Sequence, residues 1–265
     1  MRVLMVSKAC LVGAYQRKLE EIARFPDVEL MVAVPPSWYD GSRLVRLERA
    51  HTEGYELVVE PITFSGSFHF HFYPRLGRRL RSFTPHLLHI DEEPYNLATA
   101  HALWLARRTG TRALWFSWQN LNREYPFPFQ RIESYSLQHA DYAIAGSKGA
   151  AAVWREKGYR GPMAVIPQFG VDPDIFTPRD ALPSIGQRRQ PHRTREFAIG
   201  YAGRLVPEKG VDLLLSAVAG LKELAPQGKP WRLYILGDGS EKGNLKTQAR
   251  ALGLTPRVIF EGWLP

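Results

Sequence analysis

Arg204 and Lys209 are bracketed by Gly203 and Gly210 in the stretch Gly203-Arg204-Leu205-Val206-Pro207-Glu208-Lys209-Gly210-Val211-Asp212. An apolar run, Phe197–Tyr201, precedes it. Apolar residues at 211, 214, 215, 218 and 221 follow it with the i, i+3, i+4, i+7 spacing of a one-sided helix. The segment therefore reads as strand, basic loop, helix. Backbone N–H groups at a helix N-terminus and two fixed cations converge there on one place, which suits a diphosphate. A solvated basic turn is the plainer alternative.

A second concentration of polar groups is His89-Ile90-Asp91-Glu92-Glu93-Pro94-Tyr95-Asn96, at the end of an apolar run. Its carboxylates could hold the hydroxyls of a sugar acceptor or help remove a proton, with Glu92, Glu93 and Asn96 as the candidate residues. They could equally cap a helix starting near Tyr95. Gly237-Asp238-Gly239-Ser240-Glu241-Lys242 begins like a dinucleotide fingerprint but has Lys242 at the third glycine position, which argues against NAD or FAD. Gly237 and Gly239 instead suit a close backbone approach to a nucleotide. His69-Phe70-His71 puts two imidazoles on one face of an extended segment, but no third ligand has metal spacing, so no metal site is expected. Cys10, the one cysteine, excludes an internal disulfide and fits a reducing compartment; it reads as a small buried residue rather than a nucleophile.

The elements that must position these groups are legible as alternation. Apolar runs at 3–6, 30–34, 57–59, 87–90, 113–116, 142–145 and 164–166 are separated by helical stretches such as 15–24, 95–108, 129–139 and 148–157. This is the pattern of a parallel sheet covered on both faces. From about 167 to 195 the chain turns proline-rich and basic, which suits a hinge. Strand and helix patterns then resume at 197–201, 210–224, 233–236, 240–252 and 258–260. The expected organisation is an α/β protein with two Rossmann-like domains. Residues 1–170 form the first, 171–195 the hinge, and 196–265 a second, incomplete domain. Ligands in such an architecture sit at the carboxyl ends of the strands, in the crevice between domains.

The net charge is +9, from 35 basic and 26 acidic residues. No zinc spacing or RNP-like motif supports a nucleic-acid partner. Arg75, Arg78, Arg79 and Arg81 are interleaved with Phe68, Phe70, Phe72, Tyr73, Leu76, Leu80 and Phe83, a mixture that suits contact with an anionic membrane surface. An ordinary solvated helix over a core is the alternative. No run is long enough for a signal-peptide core or a membrane span, so the expected location is cytoplasmic, compatible with a peripheral position at the inner face of the membrane.

The stretch 203–215 resembles the donor-phosphate motif of the family-4 retaining glycosyltransferases, which have the GT-B fold. The resemblance extends to Ala140–Ser147, to Val165-Ile166-Pro167-Gln168-Phe169-Gly170-Val171-Asp172, to Leu236-Gly237-Asp238-Gly239 and to Phe260-Glu261-Gly262-Trp263. It implies that Arg204 and Lys209 grip the diphosphate of a nucleotide-sugar without a metal or other cofactor. Gly203, Gly237, Gly239 and Gly262 would lie around the nucleotide. It implies that Gly13, in the loop after the first strand, approaches acceptor and sugar. At the end of the fifth run Gln119 stands where the family often has a His that touches the donor sugar. The family's Glu-x7-Glu pattern lies beyond the Phe-x-Gly segment, and Pro265 precedes it; the expectation is a shortened second domain that exposes a strand edge and an apolar face. The expected function is hexosyltransferase-like: transfer of a sugar to an acceptor hydroxyl with retention of configuration, in cell-envelope, polysaccharide or glycolipid synthesis. The alternatives are a non-catalytic nucleotide-sugar binder and a GT-B nucleotide-sugar epimerase.

Overall fold

The computed structural model describes residues 1–41, 43–173, 176, 197–224 and 230–263. The chain divides into two compact units, Met1–Phe176 and Thr177–Pro265. Most of the stretch read as a hinge lies outside the described residues.

The first unit is built on seven parallel strands: β1 (Arg2–Val6), β2 (Glu29–Val34), β5 (Glu56–Val59), β6 (Leu87–Ile90), β7 (Arg112–Ser117), β8 (Tyr142–Ala145) and β9 (Met163–Val165), in the order β5-β2-β1-β6-β7-β8-β9. These are the seven apolar runs of the sequence. Their unbroken apolar character has a direct cause, because alternate residues enter different cores. Leu4, Val6, Met31 and Ala33 join a cluster with Leu80, Leu88, Leu103 and Trp154. Val3, Met5, Leu30, Val32 and Val34 join Cys10 and Leu19 on the other face. Burying both faces favours apolar residues at successive positions along the strand.

Helices α1 (Arg17–Ala23), α2 (Leu76–Phe83), α3 (Leu97–Thr109), α4 (Phe129–His139) and α5 (Lys148–Glu156) cover the sheet. Ser147 caps α5, accepting from the Ala150 N–H at 3.1 Å. Gly110, in the left-handed conformation at φ +69°, ends α3. An antiparallel hairpin, β3 (Ser37–Asp40) with β4 (Arg43–Arg46), is inserted before β5; alternation of apolar runs alone gives no sign of it. The strand order steps outward in both directions from β1 and β6, so the loops following these two strands diverge at one switch point.

The second unit repeats the plan with three parallel strands, β10 (Phe197–Ala202), β11 (Trp231–Leu236) and β12 (Val258–Gly262), and helices α6 (Val211–Leu224) and α7 (Lys242–Ala251). Its core comprises Leu205, Val211, Leu215, Val218, Leu233, Ile235, Leu245 and Leu254. The helical spacing read from the sequence puts Val211, Leu215 and Val218 inside, whereas Leu221 at the end of the stripe is 36% exposed. Phe197 on the edge strand β10 is 67% exposed.

Candidate functional site

In the second unit the loops after all three strands are laced together by backbone hydrogen bonds. Gly203 N–H donates to Leu236 O at 3.0 Å, Gly237 N–H to Gly262 O at 2.6 Å and Leu205 N–H to Asp238 O at 2.9 Å. The glycines have a steric reason. A Cβ on Gly237 would lie 1.9 Å from Gly203 O, and one on Gly239 would lie 2.3 Å from Leu205 O. Gly237 at φ +136° and Gly262 at φ +80° also hold backbone angles that favour glycine. The Gly203–Gly210 loop continues through a 3₁₀ turn at Pro207–Lys209 and a left-handed Gly210 into α6. Arg204 and Lys209 are both exposed on this loop, and Leu205 between them is fully buried and anchors it. Lys242 pairs with Asp238 at 2.7 Å, so the last residue of the failed fingerprint closes its own loop. Gly203, Arg204, Lys209, Gly237, Gly239 and Gly262 thus gather at the carboxyl ends of one small sheet.

In the first unit the acidic run after β6 meets the loop after β1. Each of its three carboxylates has different partners. Asp91 accepts from Ser7 Oγ–H at 2.7 Å, pairs with Lys18 at 3.1 Å and accepts from the side-chain amide of Gln168. Glu92 is buried against the Lys8 ammonium, accepts the Lys8 N–H at 3.2 Å and the Tyr73 O–H at 3.3 Å, and lies 3.3 Å from His71 Nε2. Burial opposes its ionisation, but Lys8 and His71 outweigh that and bring its pKa down to about 2. Glu93 accepts from the Ser117 O–H and, at 3.0 Å, from the Trp118 N–H. Among the described residues it has no ion-pair partner, and burial pushes its pKa up to about 7 despite those two donors and the Lys8 charge. Neighbouring carboxylates therefore hold opposite protonation tendencies. None caps a helix. Asn96 is the residue before α3, and the first turn of that helix contains no acid.

The remaining sequence candidates occupy varied places. Asn96 is buried with neither Nδ2 nor Oδ1 hydrogen-bonded. Gln119 is buried within its own loop, donating to Leu121 O at 2.9 Å and accepting from Tyr125 O–H at 3.3 Å. Gly13 donates its N–H to Glu48 at 2.6 Å, and a Cβ there would lie 2.6 Å from the Ala50 side chain, so close packing explains this glycine. Cys10 is fully buried, which raises its thiol to about 11. Among the described residues no group of three or more His, Cys, Asp or Glu could hold a metal ion. His69 and His71 lie in a turn rather than on a strand, and aromatic rings surround His69.

A cavity of about 1000 Å³ opens beside this network, lined by Tyr15, Lys18, His89, Asp91, Gln168 and Phe169 among others. Its walls include Asp91 but neither Glu92 nor Glu93. Phe169 stacks on Tyr15 with centroids 4.4 Å apart, and Lys18 sits over the same ring at 5.0 Å. His89 is held neutral by burial, with its pKa lowered to about 4, and its Nε2 has no hydrogen-bond partner. Sequence reading passed over Lys8, Lys18 and Gln168.

The model of Glycosyltransferase Family 4 matches residues 31–175, and that of Glycosyl transferases group 1 matches residues 186–265. The chain is 33% identical over 144 residues to a D-inositol 3-phosphate glycosyltransferase of Stackebrandtia nassauensis, covering 51% of this chain and 32% of that one. It is 43% identical over 147 residues to the lipopolysaccharide core biosynthesis glycosyltransferase LpsE of Rhizobium meliloti, covering 54% and 39%. It thus spans about a third of the length of these curated relatives. Among solved structures, HepE of Anabaena in complex with UDP-glucose superposes with a TM-score of 0.65 at 17% identity, covering 100% of this chain and 70% of that one. Two parallel α/β units, glycine-laced loops at the strand ends and family models over both units agree: the chain belongs to the Family 4 and group 1 glycosyltransferases, with the GT-B fold.

Proposed function

We propose that the chain carries the donor site of a retaining sugar transferase, which moves a sugar from a nucleoside-diphosphate donor to an acceptor hydroxyl. The observation that carries this reading is the meeting of Gly203, Gly237 and Gly262 at three strand ends, with Arg204 and Lys209 exposed on the first of those loops. As the anomeric C–O bond breaks, negative charge builds on the departing diphosphate. The loop that carries Arg204 and Lys209, and the N–H groups at the start of α6, are in place before that charge appears. Two fixed cations perform the neutralisation that a divalent metal performs elsewhere. Removing one such group costs on the order of 10²–10³ in rate.

On the acceptor side, Asp91, His89 and Gln168 line a cavity of the right size for a sugar-containing acceptor. Asn96 offers a buried amide whose polar atoms have no protein partner. The LpsE likeness supports an acceptor in the cell envelope. Retention of configuration is part of the proposal.

The test is calorimetric titration of this chain with UDP-, GDP- and ADP-sugars, with Arg204→Ala alongside. Saturable binding to one nucleotide series, weakened at least tenfold in Arg204→Ala, is the expected result. A folded chain that binds none of them, or an Arg204→Ala variant that binds equally well, overturns the donor-site reading. Where turnover is found, NMR of the first-formed anomer decides retention against inversion.

A further inference from the structure

Trp118, the residue after β7, is held at several points. Its backbone N–H donates to Glu93 at 3.0 Å, and its indole Nε1–H donates to Gln168 Oε1 at 2.8 Å. One face of the indole lies on Gly146, the residue after β8. A Cβ on Gly146 would come within 2.5 Å of the indole Cδ2 and Cε3, so this glycine makes room for the ring. Gly146 N–H donates in turn to Ser117 O at 2.8 Å, which fastens the two strand ends together. Phe116 meets the indole in a T-shaped contact, with centroids 5.8 Å apart.

Despite these restraints Trp118 is 41% exposed. With one face on Gly146 and the Nε1 edge on Gln168, the opposite face is the open surface. A side chain fixed in this way has little rotamer freedom left to lose when a ligand settles on it. Gln119, the neighbour that the sequence marked for contact with a sugar, is instead turned into its own loop by Leu121 O and Tyr125 O–H. The end of β7 therefore presents an aromatic plane rather than a polar side chain. Polar groups lie at its rim. The Gln168 amide that holds the indole also donates to Asp91, and both residues line the cavity of about 1000 Å³. A pyranose ring has the matching shape. Its axial C–H bonds make an apolar face that packs flat on an indole, while its edge hydroxyls suit a carboxylate and an amide.

We propose that Trp118 is the platform on which a pyranose ring of the acceptor stacks, which makes it a specificity-determining residue of the first unit. The proposal rests on the sugar-transfer reading above and narrows its acceptor to a ring sugar with an unobstructed C–H face. Isotopic labelling of the indole N–H groups reads it directly, because Trp118→Phe removes, and so assigns, one of the seven indole resonances. Titrating the full chain with methyl β-D-glucopyranoside or methyl β-D-galactopyranoside should shift that resonance saturably. Sorbitol, which has the hydroxyls without the ring face, should not. Saturation-transfer NMR then gives the affinities of the variants, with circular dichroism to monitor folding. Trp118→Leu should weaken glycoside binding about tenfold; Trp118→Phe, which keeps a ring without the indole donor, should weaken it no more than about threefold. Gly146→Ala pushes a Cβ into the indole and should also weaken binding. A parent chain that binds neither glycoside, or a Trp118→Leu variant that binds as well as the parent, overturns the proposal. A Trp118→Phe variant as impaired as Trp118→Leu also overturns it and marks Trp118 as a tether for Gln168. A loss seen only with nucleotide-sugars assigns the ring to the donor and overturns it too. The two readings fail separately. A chain that binds no nucleotide but keeps a Trp118-dependent glycoside titration sinks the donor site alone. Arg204-dependent nucleotide binding with glycosides indifferent to Trp118 sinks the platform alone.

Discussion

Replacing Glu93 by Gln should stabilise the protein, and by an amount that depends on pH. Glu93 is held by Ser117 and Trp118 donors with no ion-pair partner among the described residues, and its folded pKa of about 7 lies above the ordinary 4.5. A carboxyl whose folded pKa is raised binds its proton more tightly in the folded state. Its contribution is therefore fully present below pH 4.5 and is lost as pH rises to about 7. At 1.36 kcal/mol per pH unit, the loss is about 3 kcal/mol. Glutamine keeps one oxygen for the Trp118 N–H, its amide N–H can donate to Ser117 Oγ as the protonated carboxyl would, and it does not titrate. The difference between Glu93→Gln and the parent chain should thus be near zero at pH 4 and reach about 3 kcal/mol in favour of the variant by pH 8. His89, whose folded pKa is lowered to about 4, runs the other way: its contribution is lost as pH falls from 6.5. The two slopes oppose each other between pH 4.5 and 6.5, so the parent profile alone conceals both. The variant-minus-parent difference isolates Glu93. Urea unfolding at several pH values, followed by the near-ultraviolet signal of the buried Trp115–Trp154 pair (5.3 Å between centroids), measures it in the first unit. A difference that does not change with pH, or a variant destabilised at pH 8, refutes the assignment of Glu93 as a carboxyl raised by burial.

Two further outcomes follow from the same geometry. Glu92→Gln removes the charge facing Lys8 and His71 and should cost about 3–5 kcal/mol at neutral pH. Because the folded pKa of Glu92 is depressed, its contribution is present above pH 4.5 and lost as pH falls towards about 2, so urea unfolding should show the penalty shrinking in acid. Gly237→Ala forces a Cβ to 1.9 Å from a backbone carbonyl at φ +136°; it should destabilise the second unit by about 1–3 kcal/mol or more. Differential scanning calorimetry should place this loss in the transition of the second unit, with nucleotide-sugar affinity falling in parallel.

The sheet was legible because its signals are local. Strands buried on both faces need unbroken apolar runs, and those runs fall where β1, β2 and β5 to β9 form. The glycine–cation loop was legible for a similar reason, since the residues the fold gathers there lie within ten residues along the chain or end neighbouring strands. The β3–β4 hairpin was missed because its short, mixed strands carry no burial period, with Trp38 the one fully committed apolar residue. The interleaved aromatics of 68–83 misled in detail: sequence mixes them with arginines, whereas the α2 fold turns Leu76 and Leu80 inward and leaves Arg75, Arg78 and Arg81 outside. Gly13 and Gln119 were candidates by position in a motif, and packing and local hydrogen bonds give each a second explanation.

The sequence by itself determined the alternation of strand and helix and the glycine–cation loop before α6, because each depends on residues close along the chain. Only the tertiary structure decided the roles of Asp91, Glu92 and Glu93. Lys8 and Glu92 are 84 residues apart, Lys18 and Asp91 73, and Ser117 and Glu93 24. The switch point between β1 and β6 brings these partners together; Lys8 and His71 make Glu92 strongly acidic against its burial, while burial pushes its neighbour Glu93 up towards neutrality. No residue type or spacing encodes that difference. It arises from which cation the fold sets opposite which acid, and how much water it leaves between them.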